Sequence, residues 1–90
     1  MSWSISTSGT VNEIRAEIHK HEETQLRHMP QGERLLAHHA LGHALSVAEE
    51  HDSLRGAEHR YVLSGYGSEM PSGGQANINL QISLDHDSGD

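Results

Sequence analysis

Nine histidines in a chain of 90 residues are the side chains best equipped to do chemistry here. Imidazole ligates metal ions, and it changes charge near neutral pH. His39 and His43 stand four residues apart, which puts both rings on one side of a helix, where they can chelate one ion. They are the metal-ligating candidates. A zinc protease would need His-Glu-x-x-His, and His21-Glu22-Glu23-Thr24-Gln25 carries Gln where the second His belongs. Asp85-His86-Asp87 adds ligand types, but in the C-terminal tail. The expectation is surface or half-buried histidines and no cofactor. Protonating all nine would take the formal charge from −7 to −7 + 9 = +2, so association or stability should change between about pH 5 and 7.

Other chemistries lack their residues. Cysteine is absent, which removes thiolate nucleophiles, disulfides and cysteine-type zinc sites. There is no Gly-x-Ser-x-Gly elbow. Gly65-x-Gly67 and Gly73-Gly74 follow a strand without opening a helix, unlike a phosphate-binding loop. The chain therefore reads as a non-enzyme. A net charge of −7 with scattered basic residues argues against nucleic acid, whose phosphates want a basic face. No apolar run approaches the roughly 20 residues that span a bilayer, and Met1-Ser2-Trp3-Ser4 lacks the basic and apolar regions of a signal peptide. The expected location is away from membranes.

These residues must be held by a small core. At 9.9 kDa the chain is one domain. With no Phe, one Trp and two Tyr, the core must come from Ile, Leu, Val and Ala. Ser2, Ser4, Ser6 and Ser8 alternate with Trp3, Ile5 and Thr7, the period of a half-buried strand. Thr10-Val11-Asn12-Glu13 then predicts a capping box. Val11, Ile14, Ile18 and Leu26 mark the buried side of a first helix over 11–28, weakened at His21 and Glu22. Met29-Pro30 breaks it. A second helix over 31–52 would bury Ala37, Leu41, Ala44, Leu45 and Ala48. A second strand is expected over 60–64, then a long glycine-rich connection over 65–74. In the last strand Ala76, Ile78, Leu80, Ile82 and Leu84 alternate with Asn77, Asn79, Gln81 and Ser83, so Ile78, Leu80 and Ile82 should face the helices. The order β-α-α-β-β predicts an α+β two-layer sandwich, two helices on one face of a three-stranded sheet. Residues 1–85 form the domain and 86–90 a flexible acidic tail.

The outer sheet face would display Ser4, Ser6, Asn77, Asn79, Gln81 and Ser83, all polar and uncharged. Sheet surfaces usually carry Lys and Glu, which discourage edge-to-edge association. This face reads as a contact surface. Tyr66 and Met70, in the connection after the second strand, are further contact candidates. The face holds no aromatic in this reading, and so is no base-stacking platform.

The opening Trp3-Ser4-Ile5-Ser6 with Ser8-Gly9-Thr10, and the pairing of Val62-Leu63-Ser64-Gly65-Tyr66-Gly67 with Ala76-Asn77-Ile78-Asn79-Leu80-Gln81-Ile82-Ser83 across a Pro/Gly loop, carry a resemblance. The chain resembles small uncharacterised proteins encoded by bacteriophages of actinobacteria. The resemblance covers both ends and departs in the His-rich middle. It implies a phage origin, with a host cytoplasm or a virion as the location, and carries over no catalytic residue. The expected function is that of a structural or accessory phage protein, virion-associated, acting through protein–protein contacts and able to form a homo-oligomer. Two alternatives stand beside it: a host-directed inhibitor of a bacterial protein, and a histidine-based metal- or pH-responsive binding protein.

Overall fold

A computed structural model describes residues 2–68 and 77–85. The chain runs β1 (Ser2–Gly9), α1 (Val11–Thr24), a 3-10 turn (Leu26–His28), α2 (Gln31–Arg55), β2 (Tyr61–Ser68) and β3 (Asn77–Leu84). The strands form one antiparallel sheet in the order β1-β2-β3, and both helices cover one face, α1 over β1 and α2 over β3. This is the α+β sandwich expected from the order of elements.

The local causes are legible. Thr10 starts α1 with a complete capping box: its hydroxyl accepts from the Glu13 amide, and the Glu13 carboxylate accepts from the Thr10 amide at 2.8 Å. α1 stops at Thr24 rather than 28. The Thr24 hydroxyl turns back on the Lys20 carbonyl at 2.8 Å, and the chain tightens into the 3-10 turn before Pro30. α2 runs three residues past the expected end, to Arg55. Gly56 then takes the left-handed conformation (φ 65°), and the Gly56 and Ala57 amides satisfy the Ser53 and Asp52 carbonyls.

The core combines Trp3, Ile5 and Leu63 with Val11, Ile14, Ile18, Leu26, Met29, Ala37, Leu41, Ala44 and Ala48. Leu45 and the inward residues of β3 pack at its margin. Arg15 and Glu49 join the two helices at 2.6 Å.

β2 differs most from expectation. It continues through Gly65, Tyr66 and Gly67 to Ser68, so these residues are strand and not connection. Gly65 and Gly67 lie inward, opposite Ile5 and Trp3 across the sheet. A Cβ on Gly67 would strike the Trp3 indole, and one on Gly65 would strike Leu80 and the Asn79 carbonyl. The glycines thus admit large neighbours into the core. Met70, the 69–76 connection and the 86–90 tail lie outside the described residues. No helix among the described residues is long and apolar enough to cross a membrane.

Candidate functional site

Two regions hold the residues that could do something. The first is the outer sheet face. The cross-strand rows are Ser4–Tyr66–Asn79, Ser6–Ser64–Gln81 and Ser8–Val62–Ser83. Ser4, Ser6, Asn79, Gln81 and Ser83 are exposed on it, as expected. Asn77 begins β3 opposite Ser68, with its side chain outside the described set. Tyr66 also lies on this face and is 49% exposed, which corrects the reading of a face without aromatics. The correction follows from the length of β2: once the strand passes Gly65, period two turns Tyr66 outward. Ser4, Ser64, Tyr66, Asn79 and Gln81 line a shallow depression of about 380 Å³. None of the three strands contains a charged residue, so the charge of the described residues is carried by the helices and connections.

The second region is a polar cluster where α2 ends. Tyr61 is buried (3% exposed) on β2, and its hydroxyl reaches Asp52 Oδ1 at 2.5 Å and the Ala48 carbonyl oxygen at 3.1 Å. His51 Nδ1 lies 2.9 Å from the same hydroxyl. Asp52 Oδ1 also accepts from the His59 amide and faces His59 Nδ1, each at 3.1 Å. The three rings stack edge to face, with His51 and His59 centred 5.0 Å apart. Burial opposes the charge of Asp52, yet hydrogen bonds from Tyr61 and His59 outweigh it and hold the carboxyl below its usual range. Burial first, and then the adjacent carboxylate, push the Tyr61 hydroxyl far above its ordinary value, so it stays a donor.

His39 and His43 are both exposed on α2. His51, Asp52 and His59 alone bring three metal-ligating groups together among the described residues. Helix-face spacing does not reveal this set, because His51 and Asp52 are adjacent on α2 while His59 stands eight residues beyond His51, across a turn. The available signal was a pair of histidines flanking the Asp52–Gly56 helix exit. His21 is the other departure: it is buried and packs edge-on against Trp3 at 5.3 Å. Its spacing after Ile14 and Ile18 continues the buried stripe, and residue type masked that continuity.

No family model, curated protein or solved structure matches this chain.

Proposed function

We propose that this protein is a non-enzymatic interaction protein and that its first partner is a second copy of itself, joined along the outer edge of β3, which no other described strand pairs with. The edge itself carries this reading. Natural sheets protect their edges with Lys, Pro, bulges or covering elements. The eight residues of β3 include no charge and no Pro. The β1 edge, by contrast, is partly blocked, because Gln25 Oε1 accepts the Ser4 amide at 3.2 Å.

The geometry favours a symmetric pairing. The Asp85 amide donates to the Arg60 carbonyl oxygen, so the odd-numbered residues of β3 bond toward β2. The amides and carbonyls of Ile78, Leu80, Ile82 and Leu84 therefore point to the open edge. An antiparallel two-fold register with Gln81 opposite its own copy uses all four. It places Leu80 against Ile82 on the inner face and Asn79 against Ser83 on the outer, with no like charges opposed.

A strand edge alone is small beside the roughly 1,200–2,000 Å² of a stable interface. α2 supplies more. Leu36, Val47 and Leu54 are exposed, and their 11- and 18-residue spacings align them on one flank of the helix. Val47 joins Ala48, His51, Tyr61, Ile82 and Leu84 in a groove of about 150 Å³ beside β3. At Val47 the flank thus borders the same edge. The resemblance of both chain ends to small actinobacteriophage proteins supports placing such a dimer in a virion or an accessory role.

Light scattering on the full chain tests the reading. The expected mass is twice 9.9 kDa. Asn79→Lys with Gln81→Lys sets like charges at the symmetry axis and should give a single-chain mass with an unchanged circular-dichroism spectrum. A wild-type monomer, or a variant that dimerises normally, overturns it.

A further inference from the structure

We infer that His51, Asp52 and His59 form a binding site for one divalent transition-metal ion of the zinc class. The inference does not rest on self-association. The last turns of α2 deliver His51 and Asp52, the left-handed Gly56 reverses the chain, and His59 returns against them. One ligand atom from each residue lies within 4.8 Å of the other two. Zinc bonds of about 2.0–2.2 Å place neighbouring tetrahedral ligands about 3.3–3.5 Å apart. The His59 Nδ1–Asp52 Oδ1 pair is already at 3.1 Å.

Three features separate this cluster from a chance meeting of polar groups. First, it is supported from beneath. The buried Tyr61 hydroxyl contacts both Asp52 and His51 and is itself tied to the Ala48 carbonyl, the kind of outer hydrogen-bonding that orients metal ligands. Second, all three residues are half-buried, which restrains their rotamers yet leaves a path to solvent. Third, the donor set is selective. Two imidazole nitrogens and one carboxylate suit zinc and its transition-metal neighbours, whereas magnesium and calcium favour all-oxygen shells. Three protein ligands leave a fourth position open to water or to a group from a partner.

Calorimetric titration of the full chain with Zn²⁺ at pH 7.5 tests the site. One ion per chain is expected. His51→Gln and His59→Gln should each weaken binding by more than about tenfold, as loss of a ligand or its support does elsewhere. His39→Gln with His43→Gln should leave it unchanged. Co²⁺ should give visible absorption bands with the wild type and lose them in His59→Gln. In case a ligand variant fails to fold, imidazole NMR signals of the wild type provide a second readout: those of His51 and His59 should shift at equimolar Zn²⁺. No saturable binding, retention in both ligand variants, loss in the His39/His43 variant, or shifts confined to other histidines would each overturn the site.

Discussion

His21 shows how one residue couples packing to pH. It takes a place in the buried stripe that an aliphatic residue would ordinarily hold, edge-on to Trp3, and its Nε2 has no hydrogen-bond partner among the described residues. Burial pushes its pKa down, and the adjacent Glu22 only partly offsets this. The unfolded chain therefore takes up the proton first as pH falls. Stability from this site is full above the unfolded value of about 6.5 and is lost as pH drops from there through the lower folded value. His21→Leu keeps the apolar contact and removes the titration. Thermal melts from pH 7.5 to 5 should therefore fall less steeply for the variant than for the wild type. An unchanged slope would move the acid sensitivity elsewhere. Sequence periodicity held this position in view: 14, 18 and 21 fall on one side of α1. Judging it by residue type, as a weak point of the stripe, missed its burial.

Among the elements, the sheet separates what alternation reveals from what it conceals. Period two correctly assigns Ile78, Leu80 and Ile82 to the inner face, and Thr10 with Glu13 announces the start of α1. Alternation carries no information about which strand lies in the middle. That place belongs to β2, so Leu63 is fully buried while the apolar residues of β3 are only half covered by α2. Nor does local sequence reveal that Gly65 and Gly67 serve close packing. Their need arises from Trp3 and Leu80, which are distant in sequence. The His51–Asp52–His59 cluster was hidden for the same reason, since only the Gly56 reversal creates it. The burial order has an energetic consequence. Leu63→Ala should cost about 2–4 kcal/mol, whereas Leu80→Ala at the edge should cost roughly 1–2 kcal/mol in the monomeric protein. Urea denaturation of both variants in the Asn79→Lys/Gln81→Lys background, proposed to be single-chain, decides it. A Leu80 cost equal to that of Leu63 would mean that α2 closes over β3 more fully than the groove at Val47 and Ile82 indicates.

For the molecule as a whole, the separation of charge from sheet determines how association should respond to solution conditions. Each copy carries a formal charge of −7 at pH 7, and the chain's isoelectric point is near 5.6. The three strands contribute nothing to that charge. Two copies approaching along β3 therefore meet no attractive ion pairs from the strands themselves and feel the long-range repulsion of their shared net negative charge. Salt shortens the reach of that repulsion to about 8 Å at physiological ionic strength. Protonating the histidines toward pH 5.6 removes the net charge altogether. Both treatments should strengthen the proposed dimer modestly, and at pH 5.6 added salt should have little further effect because there is little repulsion left to screen. Sedimentation equilibrium at two ionic strengths and at pH 7.5 and 5.6 reads all four corners. Dissociation by salt at pH 7.5 would be the opposite sign. It would mean that ion pairs between the charged helices hold the copies together, and that the uncharged edge of β3 is not the seam.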